Sequence, residues 1–124
     1  MGTRSTIHFQ ENGTTLASIY QQYDGYPDSV GLELANFLDG ITVVNGISLN
    51  ESRRIANGVG CLAAQFVTDF KNGPGGLYLT VPDAREEYNY FVNCDCDGCE
   101  IQVSCDDQFS GTVSEFKKWC ENPS

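Results

Sequence analysis

The chain is predicted to fold as a single α+β domain over residues 1–124, an antiparallel sheet built from two β-hairpins plus a strand, with about three helices packed on one face. Three observations predict it. Asn12-Gly13 and Asp97-Gly98 each lie between segments of alternating polarity, and both dipeptides tolerate the positive φ of a tight hairpin turn. Two stretches, Val30 to Ile41 and Val59 to Phe70, carry apolar residues at three- and four-residue spacing, the period of an amphipathic helix. Gly73-Pro74-Gly75-Gly76 cannot extend a helix and separates the second of these from a short apolar strand.

Ser5 to Gln10 and Thr14 to Gln21 form the first hairpin. Pairing outward from Asn12-Gly13 places Ile7, Phe9, Leu16, Ser18 and Tyr20 on one face and His8, Ala17 and Ile19 on the other. Ile19 argues against a clean split, so the core face stays open. Asp24-Gly25-Tyr26-Pro27 breaks the strand, and Pro27 suits the first turn of a helix that carries Val30, Leu34, Phe37, Leu38 and Ile41 and ends near Gly40. Residues 41–57 read as an excursion with some strand or helix, containing Arg53 and Arg54. The second helix carries Val59, Leu62, Ala63, Phe66, Val67 and Phe70, with Asn57 as its N-cap and Gly73 as its stop. A strand follows from Leu77 to Val81, then the second hairpin from Glu87 to Asp106. A terminal helix starts at Ser110 or Ser114 and carries Val113, Phe116, Trp119 and Cys120.

In the second hairpin, a two-residue turn at Asp97-Gly98 makes Cys96 face Cys99, Val92 face Val103 and Tyr90 face Cys105. All four thiols, Cys94, Cys96, Cys99 and Cys105, then share the apolar side, and Glu87, Asp95, Glu100 and Asp106 share the wet side. Cys105 stands roughly 20 Å from Cys99 at about 3.3 Å per residue, too far to share a zinc ion with bonds of ~2.3 Å. Buried thiols are the preferred reading. A tip metal site of Cys94, Cys96 and Cys99, or a Cys96 to Cys99 cross-link, is the alternative. Asn93-x-Asp95-x-Asp97-Gly98 resembles the start of a calcium loop, but the twelfth position falls on Ser104 where a glutamate is required.

The formal charge is −10, with eight acids between Asp83 and Asp107 against the single base Arg85. Such a surface repels phosphate backbones and anionic lipid, so direct nucleic-acid binding and membrane association are not expected. No apolar run approaches the ~18 residues of a membrane span. The opening Met1-Gly2-Thr3-Arg4-Ser5-Thr6 fits a loose acylation pattern without an export leader, and a reduced cytoplasmic setting is expected. No cofactor is expected.

Nothing in the chain spells a catalytic motif. His8 lies mid-strand with no nucleophile or acid beside it in sequence, and Cys61 sits on or beside the apolar stripe. The polar residues that exceed what folding requires are Arg4, Gln22, Tyr23, Asp24 and Tyr26 near the first helix, and Asn57, Gly58, Gly60 and Gln65 on the second. Glycines at a helix start either serve tight turns or let a ligand approach backbone N–H groups. Arg4, Arg53 and Arg54 could neutralise a phosphate, and Tyr23, Tyr26 and Tyr78 could stack on a planar ring. Together they admit a nucleotide-like small molecule.

The motifs Met1-Gly2-Thr3-Arg4-Ser5, Tyr20-Gln21-Gln22-Tyr23-Asp24-Gly25-Tyr26-Pro27, Gly58-Val59-Gly60-Cys61-Leu62-Ala63-Ala64-Gln65 and Gly73-Pro74-Gly75-Gly76-Leu77-Tyr78-Leu79 resemble a family of small uncharacterised proteins carried by phages, viruses and bacteria. The resemblance covers the chain up to about Tyr90, and the cysteine hairpin departs from it. It brings no activity and no catalytic residues. A viral setting implies a compact protein that counters host defence, in the host cytoplasm. The expected function is therefore a non-enzymatic, homo-oligomeric binding protein that sequesters a nucleotide-like molecule. The alternative is an inhibitor module acting through the acidic face of the 87–106 hairpin, with a small hydrolase third.

Overall fold

The computed structural model describes residues 3–44, 55–95 and 100–122. The first hairpin comprises β1 (Ser5–Glu11) and β2 (Thr14–Gln21), joined by Asn12 at φ 51° and Gly13 at φ 80°. Two consecutive positive φ values match the right-handed twist of the strands they connect, which is why Asn-Gly is used there. A π-helical opening, Pro27–Gly31, runs directly into α1 (Leu32–Leu38). β3 (Thr42–Val44) and β4 (Ile55–Asn57) form a separate parallel pair. α2 (Gly58–Phe70), β5 (Leu77–Leu79), β6 (Tyr88–Cys94), β7 (Gln102–Cys105), β8 (Phe109–Thr112) and α3 (Val113–Glu121) follow.

The α+β class is as expected, and the main sheet has six strands in the order β5-β2-β1-β6-β7-β8. The antiparallel hairpins form as expected, but they join in a mixed sheet: β1 and β6, at its centre, run parallel, and every other neighbouring pair is antiparallel. The two hairpins meet through their first strands, and both first strands point the same way. β1 is consequently buried on both faces from Ser5 to Phe9.

The face assignment of the first hairpin is corrected. Glu11 pairs with Thr14 and Gln10 with Thr15, as a two-residue turn requires, but Phe9 then pairs with Ala17 and leaves Leu16 without a partner. This bulge inserts one residue into β2 and turns every side chain beyond it to the other face. Ala17 and Ile19 join Ile7 and Phe9 on the core face, while Ser18 and Tyr20 join His8. Leu16, expected on the same face as Ile7 and Phe9, is half exposed.

The described helices α1, α2 and α3 cover the face that carries Ile7, Phe9, Tyr90 and Val92. Phe66 of α2 packs on Phe9 with ring centroids 5.6 Å apart, and Phe37 of α1 packs edge-on to Phe66. Phe116 of α3 meets Tyr90, whose hydroxyl donates to the Gly25 carbonyl at 2.7 Å. α3 begins at neither Ser110 nor Ser114. Ser110 lies in β8 and Ser114 is the second residue of α3, and Thr112 caps the helix: its hydroxyl accepts from Glu115 N, and the Glu115 carboxylate accepts from Thr112 N.

The second hairpin keeps its expected register, with Tyr90 opposite Cys105 and Val92 opposite Val103. Cys94 and Cys105 are buried on the apolar side, and Glu87, Asp95, Glu100 and Asp106 are exposed. Asp97-Gly98, Cys96 and Cys99 lie outside the described residues, and with them the tip metal site and the tip cross-link. Arg53 and Arg54 lie outside them too. Among the described residues no helix is long and apolar enough to cross a membrane.

Candidate functional site

The single histidine is spent on structure. His8 is fully buried on the helix-free side of β1, 2.9 Å from Thr6 Oγ1 through Nε2 and 2.8 Å from Ser18 Oγ through Nδ1. Thr6 Oγ1 gives its own proton to Asn89 Oδ1 at 2.7 Å, so it can only accept from the ring. The proton therefore sits on Nε2, and Nδ1 accepts from Ser18. Arg85 Nη1 approaches Nε2 at 3.4 Å, but it donates to the carbonyls of Pro82 and Ala84, and the contact joins two donors. Burial lowers the His8 pKa, and the Arg85 guanidinium lowers it further against a smaller opposing contribution from the Ala84 carbonyl. A neutral, enclosed ring with both nitrogens bonded has no free position for a substrate.

The residues expected to hold a nucleotide-like ligand fall into separate places. Arg4 is exposed at the start of β1, its backbone N 3.4 Å from the Glu87 carboxylate. The Gln22 side chain accepts from Gly76 N at 3.3 Å and ties the 73–76 loop to β2. Tyr23 is exposed and its carbonyl accepts from Gln21 Nε2. Tyr26 packs on Tyr88, whereas Tyr78 packs on Tyr20 and under Lys71. Asp24, at φ 56°, lines an open cavity of about 420 Å³ with Asp28 and Glu33, which is hostile to phosphate.

Asn57, Gly58, Gly60 and Gln65 gather instead along α2. Asn57 occupies the N-cap position without a side-chain cap bond. Gly58 needs its glycine for a φ of 85°, whereas a Cβ at Gly60 would meet nothing within 4 Å. The helix is two-sided. Val59, Leu62, Ala63 and Phe66 are buried against the sheet, and the opposite stripe presents Cys61, Ala64, Gln65, Thr68 and Asp69. Residues three and four apart share a helix face, so this stripe is continuous.

That stripe forms one wall of a cavity of about 400 Å³, and Phe37, Ile41 and Ile55 supply apolar surface to it. Gln65 donates from Nε2 to the Ile55 carbonyl at 3.1 Å, which fixes the orientation of its amide. Its Oε1 is closed off from solvent and has no donor. A buried acceptor left unpaired costs about 1–3 kcal/mol. Ser5 Oγ is the other such atom among the described residues, but it is packed close to Gly25, so close that a Cβ there would stand 3.0 Å from the hydroxyl. Among the described residues Gln65 alone combines an orphaned acceptor with a cavity.

No family model, curated protein or solved structure matches the chain. Of the residues around this cavity, sequence reasoning singled out Gln65 and missed Thr68 and Asp69. Their signal was the complement of the apolar stripe: polar residues recurring four apart on the side of α2 turned away from the core. Among the described residues, no group of three or more His, Cys, Asp or Glu side chains could hold a metal ion.

Proposed function

We propose that the protein is a non-enzymatic binding protein that holds a small planar molecule in the cavity along the outer stripe of α2. The observation that carries this reading is the buried, donorless Oε1 of Gln65, a residue that lines a cavity of about 400 Å³ with apolar surface from Phe37, Ile41 and Ile55. A ligand ring would lie against those apolar side chains and give an N–H or O–H to Gln65 once its amide turns Oε1 toward the cavity. A nucleotide-like ligand would enter by its base, because Arg4 is not among the residues around this cavity. In a phage or viral setting such a protein acts by removing a small-molecule signal from solution.

Native mass spectrometry of the purified protein tests this together with subunit number. The expected result is a retained or added small molecule that leaves chemically intact on denaturation, and whose capture is lost in Gln65→Leu. A chemically altered molecule would instead make the protein an enzyme.

A second reading, inhibition of a basic partner, is favoured by the exposure of Glu87, Asp95, Glu100 and Asp106 just beyond the ends of β6 and β7. Reversing Glu87, Asp95 and Glu100 should abolish such capture and leave ligand binding intact. Asp106 is excluded from that variant because its carboxylate accepts from Asn89 N and Nδ2.

A further inference from the structure

Resting on the cavity reading above, we infer that the ligand presents a planar cationic donor group, of the amidinium or guanidinium class, to Gln65 and Asp69. The two residues are one helical turn apart and share a wall. Every polar oxygen on that wall accepts. Gln65 Oε1 lacks a donor, and Thr68 Oγ1 has already given its proton to the Ala64 carbonyl at 2.9 Å. The Asp69 carboxylate adds two further acceptor atoms.

No base lines the cavity among the described residues. Lys71, the base nearest to Asp69 in sequence, spends its ammonium on the carbonyls of Gly75 and Leu77. An acceptor-rich wall beside apolar side chains selects a ligand with several N–H groups in one plane on an apolar body. The charge of −10 adds a field that draws cations and repels anions. Among the described residues, the charge that a phosphate or carboxylate head group would meet there is that of Asp69, its own sign.

Three probes of one shape separate the possibilities: benzamidine, benzamide and benzoate, titrated into the ¹⁵N-labelled protein at low salt. Benzamidine should shift the amides of Ile41, Ile55 and Thr68 and bind about fivefold tighter than benzamide, with benzoate silent. Asp69→Asn, an exposed and nearly isosteric change, should erase the preference for benzamidine, while Gln65→Leu weakens both ligands. Binding of benzamide or benzoate as tight as that of benzamidine, or a preference that survives Asp69→Asn, overturns the cationic class and leaves the cavity reading standing. Silence of all three probes up to about 10 mM overturns the cavity reading itself.

Discussion

Ser18 stands opposite His8 because Leu16 has no partner on the neighbouring strand. Without that bulge, Ala17 would face His8 and Nδ1 of a buried imidazole would lack a donor. The bulge therefore completes a chain of bonds from Ser18 through His8 and Thr6 to Asn89, across three strands.

This chain predicts a pH dependence of stability. The folded state lowers the His8 pKa below its ordinary 6.5, so the ring is neutral when folded and readily protonated when unfolded. Above pH 6.5 both states are neutral and the effect vanishes. As pH falls below 6.5 the unfolded chain binds the extra proton, and stability drops by at most about 1.4 kcal/mol per pH unit until the folded pKa is reached. Urea midpoints at about pH 7.5 and about pH 5.5 should differ in the wild type and differ less in His8→Gln. Equal differences in the two proteins would remove His8 as the cause.

Asn89 should be among the costliest polar positions. Its Oδ1 accepts from Thr6 Oγ1 and Glu86 N, and its Nδ2 donates to the Glu86 carbonyl and to Asp106. Asn89→Ala strips all four partners and should destabilise by about 3 kcal/mol, read by urea denaturation. Asn89→Asp should also destabilise, because it sets a second carboxylate against Asp106.

The thiols of Cys105 and Cys120 should resist alkylation in the native protein. Both side chains are fully buried, and burial first, then neighbouring acidic groups, pushes each up to about 12. Peptide mapping after iodoacetamide at about pH 8 should find Cys61, which is partly exposed, modified well before either of them. Modification of Cys105 or Cys120 at the rate of Cys61 would refute their enclosure.

Lys71 should protect the edge of the sheet. Its ammonium holds the Gly75 and Leu77 carbonyls at 2.9 and 2.8 Å and lies over the Tyr78 ring. β5 is an edge strand, and Leu79 at its end and Val81 just beyond it are exposed. Lys71→Ala should cost about 1 kcal/mol and increase self-association on size exclusion, because it uncovers strand acceptors next to apolar side chains. An unchanged elution profile with unchanged stability would sink this role.

Thr112→Ala should destabilise by about 1 kcal/mol, and Glu115→Ala by less, since the two side chains satisfy separate backbone N–H groups. Thermal melts of the single and double variants test whether the pair acts as one cap, in which case their effects are less than additive.

The second hairpin was legible because its alternation is nearly complete, so the turn expected at Asp97-Gly98 predicts the partners Val92 with Val103 and Tyr90 with Cys105. The first was misread because a bulge leaves no mark of its own; only Ile19, apolar on the face opposite Ile7 and Phe9, betrayed it. The parallel pairing of β1 and β6 had no local signature, since it depends on how two separate hairpins meet. In the cavity, Gln65 was visible as a polar residue on an apolar helix. Phe37, Ile41 and Ile55 were read as core or excursion residues, because their convergence on α2 is a matter of tertiary packing.

The central pairing has a consequence for biosynthesis. Thr6 and Asn89, which bond across it, are 83 positions apart, so the N-terminal hairpin leaves the ribosome long before its parallel neighbour exists. Throughout that interval β1 exposes a full strand edge, with Thr6 and His8 unsheltered. A pause or truncation before Tyr88 would leave that edge open to other nascent chains. Release of residues 88–105 is thus the event that commits the polypeptide to its native state.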